Sequence, residues 1–444
     1  MSTIELEFET KKSANADQVD RNALLGENRS LAEKSSILFE LGKSLEKHGF
    51  AGSAAIPKTI FLATLTRMLA RPVSAVIKGP SSSGKSFALE TALRYVPPRA
   101  YEKFQGLTDR ALVYSNDLDL RHRILVIGEA GGLADGTGRT FLRQLLTEDQ
   151  IRYRTVAQSK DGHVSRETTI EGPVGLLMTT TANFLHGEDE TRVLSLHTDQ
   201  SPQQIALALE ATMLKSQSKP TPEELASWHV LHDFVCLGEQ SVQIPYDKFL
   251  IARLPKQQRV LRDAQKLKAL ITAHALLHQL TRDRNSEGAI LANSYDYLIV
   301  HGLIAEPLAQ GLNASVPQHI REVAEAVAVL NELPRQASIS CSDVADLLDK
   351  DISTVSRNVQ AAIRDGYLDN LNPGKGKRAV LVPGERALPT GTVLPGLSNL
   401  SKRWVKVRKR SKLPTPVIGL LRSRKNERGK GRGGVNRRSR PSLS

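Results

Sequence analysis

Cysteine is nearly absent from this chain. Its 444 residues hold two, Cys236 and Cys341, far apart and without metal-ligand spacing. That scarcity argues against a disulfide framework and against a zinc site, and makes a reducing cytoplasm the expected setting. Long apolar runs are also lacking: none reaches the ~18–20 residues that a membrane span requires. The first residues, MSTIELEFETKK, are acidic and mixed, not basic and then apolar, so no secretory leader is expected. Excess charge of one sign is missing from most of the chain despite a formal net charge of +14. Residues 401–444 carry 16 Lys/Arg against one Glu, which leaves 45 basic and 46 acidic residues in 1–400. The surplus is therefore confined to an Arg-, Gly- and Ser-rich tail without apolar periodicity, read as a disordered arm. Such an arm attracts nucleic-acid phosphates through counterion release, or serves only solubility.

What is present is a complete G-x-x-x-x-G-K-[ST] run at 79–86, Gly-Pro-Ser-Ser-Ser-Gly-Lys-Ser. An apolar stretch, Val73 to Ile77, precedes it and a helix-like stretch, Phe87 to Tyr95, comes after. Strand, glycine loop and helix together are the context that gives this pattern its mechanism. Gly79 and Gly84 let backbone N–H groups turn toward phosphate oxygens, with Pro80, Ser81, Ser82 and Ser83 between them. Phe87 opens the helix whose positive end faces the same anion. Lys85 is placed to reach the β- and γ-phosphates, and the Ser86 hydroxyl to join a Mg²⁺ shell. ATP with Mg²⁺ is the expected ligand.

The residues downstream narrow the class. Arg123 to Ala130 reads RILVIGEA, a buried strand ending in Glu129, the expected water-polarising carboxylate and second Mg²⁺ group. Gly128 stands where an Asp would normally assist the metal. A helix is expected over 140–147. Beyond it, Ile151 to Ile170 alternates in β-prone fashion around Asp161-Gly162, predicting a hairpin with Lys160 and His163 at its tip. Val174 to Met178 is a further strand, leading to Thr181 and Asn183, either of which can contact a γ-phosphate. Arg192, within Glu188-Asp189-Glu190-Thr191-Arg192, is placed as an arginine finger or as a surface ion pair.

This order of phosphate loop, Glu-ended strand, hairpin, polar strand end and late arginine resembles the AAA+ ATPases. Within them, residues 57–285 look most like the minichromosome maintenance (MCM) helicases and their relatives on plasmids and integrative mobile elements. The resemblance implies a hexameric ring on DNA, a pore hairpin at Lys160, and Arg192 completing a neighbouring subunit's site. It also makes Arg262 a second sensor arginine. The group's second DNA hairpin is nearly absent here, because only 109–122 intervene before the Glu129 strand, and its zinc-bearing collar is missing.

The expected architecture is α/β: a helical leader (1–50), an ATPase core (51–200), a helical lid (201–316), a winged helix-turn-helix unit (317–386) and the basic tail (387–444). In the fourth segment, Ser342 to Lys350 and Ser353 to Asp365 have helix-turn-helix spacing, with Ser342 as the expected N-cap. Ser353, Thr354, Ser356, Arg357 and Asn358 are candidates for DNA contact, with Lys375, Lys377 and Arg378 on the wing. Winged helices also dock proteins, other replication proteins among them. The implied activity is an ATP-dependent DNA helicase or replication initiator. The alternatives are an ATP-dependent DNA-binding switch, such as a loader or regulator, and a DNA-binding regulator with a vestigial ATPase.

Overall fold

The computed structural model describes residues 25–105, 119–128, 143–144, 146–148, 150–159, 162–181, 187–213, 219–238, 240–314, 316–331, 338–374, 377–386, 388 and 393–396. The described residues up to Pro395 form one compact unit, to which the sheet and its helices belong.

The helical part of the leader is in two pieces. An N-terminal turn at Arg29–Ala32 is separated from α1 (Ile37–Lys47) by Glu33 to Ser36, where the Ser36 hydroxyl accepts from the Tyr295 hydroxyl at 3.1 Å. α2 (Ala55–Leu65) is apolar on nearly every side and mostly buried, so it packs as a core helix. β1 (Ala75–Lys78) leads through the glycine loop into α3 (Lys85–Arg94). β2 (Tyr101–Phe104), β3 (Arg123–Ile127), β6 (Val174–Thr180) and β7 (Leu194–His197) complete a five-stranded sheet. Its order is β2-β3-β6-β1-β7, with every neighbouring pair parallel. Strands buried on both faces need continuous apolar sequence; β6 is buried at all seven positions.

Between β3 and β6 the chain forms a separate hairpin of β4 (Gln150–Ser159) and β5 (Gly162–Glu171). Ten residues pair on each side, giving an arm of about 33 Å. Gly162 pairs with Ser159 and so belongs to the ladder, not to the expected Asp161-Gly162 turn. Lys160 itself lies outside the described residues.

The helices α4 (Gly187–Arg192), α5 (Pro202–Met213), α6 (Pro222–Cys236), α7 (Asp247–Arg253), α8 (Gln258–Leu277) and α9 (Ser294–Ala314) come next. A short parallel pair, β8 (Val242–Gln243) with β9 (Ile290–Leu291), lies among them. Most of the described residues from 202 to 314 are helical. Among the described residues no helix is long and apolar enough to cross a membrane.

His232 and His278 are fully buried in this body. Burial, the main cause, holds both imidazoles well below the ordinary range; Arg67 beside His232 and His274 beside His278 act in the same direction. The unfolded chain takes up these protons near pH 6.5, and the native state does not. Their contribution is therefore constant above about pH 6.5 and destabilising below it, by up to about 1.4 kcal/mol per pH unit for each ring. Thermal melts should show a lower Tm at pH near 5.5 than near 7.5. An unchanged Tm across that interval would contradict neutral, buried rings.

The C-terminal part of the unit packs α10 (Gln318–Asn331), α11 (Cys341–Leu348) and α12 (Ile352–Arg364) against β10 (Leu368–Asn370) and β11 (Leu381–Pro383). Val323, Val327, Val344, Val355, Val359, Leu368 and Leu381 form its core. Ser340, rather than Ser342, is the N-cap of α11, exchanging bonds with Asp343 in a capping box. The helix therefore begins at Cys341, one residue before the expected cap. Asp351 caps α12 through the Ser353 and Thr354 N–H groups. Beyond β11, Val393 and Leu394 are buried, and the Tyr297 hydroxyl donates to the Pro395 carbonyl at 2.8 Å, so the chain returns to α9.

Candidate nucleotide site

Parallel pairing brings the strand ends level. Lys78, the last residue of β1, is in register with Thr180 on one side and His197 on the other. Ile127 of β3 is level with Met178 of β6. The glycine loop, the end of β3 and the end of β6 thus share one sheet edge, where parallel α/β sheets bind ligands.

The loop is built for close approach. Gly84 has φ of +81°, a left-handed conformation that suits glycine as the turn into α3. A Cβ at Gly79 would lie 2.1 Å from Thr198 Oγ1 and 2.6 Å from Ser83 Oγ, so only glycine fits there without displacing both hydroxyls. Lys85 is buried, at 8% exposure, and its Nζ donates to the Pro80 carbonyl at 2.6 Å, across the loop. Ser83 Oγ is buried without a hydrogen-bond partner. Pro80, Ser81, Ser82, Gly84, Ser86 and Phe87 are exposed. A folded-in ammonium, an unpartnered hydroxyl and an open helix N-terminus together suit a polyphosphate.

Beside the loop lies a cavity of about 1110 Å³. Phe50, Ile56, Phe87, Ile205, Leu209 and Leu303 supply apolar wall; His197, Glu306 and Gln310 supply polar groups. The Phe50 and Phe87 rings are stacked, 5.8 Å between centroids and 4° between planes. Burial, and then the Lys78 ammonium, hold the His197 imidazole below its ordinary range. A partly apolar recess continuous with the glycine loop has the chemistry to take a nucleobase and ribose. Phe50 carries no motif; its place becomes visible only through the packing of the α1–α2 connection against α3.

The metal side of the site is sparer. Glu129 lies outside the described residues, as does Asn183. At Gly128 a Cβ would sit 3.1 Å from Gln105 Oε1, so an amide stands beside the position where a carboxylate is usual. Thr179 Oγ1 donates to the Gly128 carbonyl, joining β6 to the end of β3. Thr181 is exposed, one residue past the end of β6. Among the described residues no cluster of three or more His, Cys, Asp or Glu could hold a metal ion. Mg²⁺ bound with a triphosphate needs only one or two side chains besides the phosphates, and Ser86 at the head of α3 can be one.

Arg192 ends α4, and Arg262 of α8 donates to Thr191 Oγ1 next to it. The structure thus brings the two candidate arginines together. Beneath them is a buried set with no motif signal. Lys78 Nζ donates to both Glu190 carboxylate oxygens, at 2.8 and 2.6 Å. Arg259 reaches the Glu190 carbonyl at 3.2 Å. Lys266 reaches the Thr191 and Val193 carbonyls, at 3.0 Å each.

The DNA candidates are placed separately. His163 lies in β5, paired with Gln158; Lys375 is outside the described residues. Ser353 Oγ and N–H both bond Asp351 in the α12 cap. Arg357 lies along its own helix, near Ser353 O and Thr354 Oγ1 at 3.4 Å each. Arg378 reaches Ser340 Oγ at 3.1 Å and Asp343 at 3.5 Å, whereas Lys377 is exposed.

No protein-family model matches the chain, and no curated protein does. Among solved structures, a full-length MCM homologue from Methanopyrus kandleri is similar at TM-score 0.40 and 13% identity, over 64% of this chain and 60% of that one. The Aeropyrum pernix ORC1 protein, solved in complex with DNA, is similar at TM-score 0.24 and 11% identity, over 79% of this chain and 92% of that one. This chain therefore spans less than two thirds of the MCM homologue's length. At such scores the likenesses carry no weight. What stands on the geometry is a mixed α/β protein with a central parallel sheet, a glycine-rich loop at the carboxyl ends of its strands and a recess of about 1110 Å³ beside it.

Proposed function

We propose that this chain is an ATP-hydrolysing AAA+ protein that acts on DNA as a ring of subunits, a helicase or replication initiator of MCM-like type. The observation that carries the reading is the strand order: β6 lies between β1 and β3. The phosphate loop, the strand ending before Glu129 and the polar threonine end are thereby neighbours on one edge. In this reading Gly79 to Ser86 hold the triphosphate, with Lys85 swinging from the Pro80 carbonyl to the β- and γ-phosphates. Mg²⁺, when bound, neutralises charge building on the transferred phosphoryl group. Ser86 and Glu129 would hold it, Glu129 also polarising the attacking water, and Thr181 would contact the γ-phosphate. Arg192, with Arg262 beside it, would complete a neighbouring subunit's site.

The β4–β5 arm, with Lys160 and His163 near its tip, would contact DNA. The C-terminal unit, read as a winged helix, would add Ser353, Thr354, Arg357, Lys375, Lys377 and Arg378. Of these, Arg378 must first leave Asp343.

Strand displacement on forked DNA with ATP tests this. Unwinding by the parent chain, lost in Lys85→Ala and in Lys160→Ala, is the expected result. ATP-dependent assembly on DNA without displacement would sink the helicase and favour the second reading, a switch that assembles without translocating. Gly128 beside Gln105 favours that reading, since a metal shell short of one carboxylate suits slow turnover.

A further inference from the structure

A buried ion pair needs a reason other than stability, because an apolar pair of similar volume is commonly as stable or more so. Lys78 and Glu190 are such a pair: their side chains are 1% and 7% exposed. Lys78 is the residue immediately before the phosphate loop, and its carbonyl accepts from the Thr198 N–H at 3.0 Å. Glu190 is two residues before Arg192 in α4, and Ser195 Oγ donates to its carboxylate at 2.6 Å. The pair therefore ties the foot of the loop to the helix that carries Arg192.

The same helix end is held from the other side. Carbonyls at and just beyond its C-terminus are engaged by α8: Glu190 by Arg259, and Thr191 and Val193 by Lys266. Cations suit the carbonyl end of a helix. Lys266 is itself anchored to Asp263 at 2.9 Å. A helix of six residues has little rigidity of its own, so these contacts, together with the Arg143–Asp189 pair and the Arg262–Thr191 bond, help to fix where its last residue sits.

We propose that Lys78 and Glu190 are positioning residues that set Arg192 in fixed register with the end of β1, making its use in the adjacent subunit's site depend on this pair. Neither touches substrate. The inference rests on reading Arg192 as the arginine that completes a neighbour's site.

The test replaces both charges at constant bulk, Lys78→Met with Glu190→Met, in the full chain. Expected are a Tm within about 3 °C of the parent or above it, an ATP Kd within about 3-fold, and a kcat at least about 10-fold lower with KM little changed, as expected when an arginine finger is misplaced. Lys78→Arg, which keeps the pair, should retain most of the turnover. A merely structural pair would lower Tm and leave kcat per folded subunit unchanged. Parental kcat in the double variant overturns the proposal, and so does a double variant that fails to fold. Arg192→Ala is assayed alongside. If it leaves kcat intact, the reading of Arg192 fails; if it abolishes turnover while the double variant does not, only the positioning role fails.

Discussion

Arg192→Ala should lower ATP turnover by about 10³-fold or more while leaving ATP affinity within a few-fold. The expectation comes from where the residue sits. It ends α4, a helix that is fastened to the same chain by Lys78, Arg259, Lys266 and Arg262, and does not lie on the glycine loop proposed to hold the triphosphate. An arginine that acts across a subunit boundary stabilises charge that develops only as the phosphoryl group transfers, so its removal falls on kcat rather than on binding. Mixing provides the second measurement. Arg192→Ala subunits combined with Lys85→Ala subunits should regain part of the activity, because each supplies what the other lacks. Failure of mixing to restore any turnover, with both variants folded and associated, would mean the arginine works within its own chain or not at all.

The second large effect is expected of Lys85→Ala, which should weaken ATP binding at least about 100-fold, by the loss of charged hydrogen bonds to phosphate oxygens. Stability should change little. The ammonium donates to a loop carbonyl, Pro80 O, which also accepts from the Ser83 N–H at 3.4 Å, so that carbonyl keeps a donor when the ammonium is removed. Isothermal titration with ATP and a thermal melt of the same sample separate the two quantities. A variant that still binds ATP with parental affinity would remove the phosphate loop from the site, and with it the reading of the recess lined by Phe50 and Phe87. A variant that melts far below the parent would show Lys85 to be a structural residue.

The parts of this site that are legible in the sequence are those whose chemistry is compressed into adjacent residues. Gly79 to Ser86 are contiguous, and their conformations depend on residue type: glycine where φ is positive at Gly84, a helix start where the N–H groups are needed. The apolar runs before them and before Gly128 are long enough to announce buried parallel strands. The hairpin is readable from alternation, although its register is not, since alternation alone does not say whether Gly162 pairs in the ladder. The cap of α11 moves for a similar reason: Ser340 and Ser342 are chemically equal candidates, and the packing of the β11 bridge at Ile339 selects the earlier one.

What depends on residues far apart is not readable. Lys78 and Glu190 are 112 positions apart, and nothing in either neighbourhood signals the other; the pairing results from β1 and β7 lying side by side. Arg262 reads in the sequence only as a sensor near ATP, yet its donor bond runs to Thr191, because α8 packs along α4. Phe50 gains meaning only when the connection ahead of α2 folds against Phe87. By itself the sequence determined that a glycine-rich loop of phosphate-binding pattern lies between a strand and a helix, that the body is α/β and nearly neutral, and that basic charge is gathered in the final segment. Those are properties of local pattern and composition. The tertiary structure alone decided which charges are buried together and which arginines share a helix end, because desolvation and hydrogen bonding act between neighbours in space.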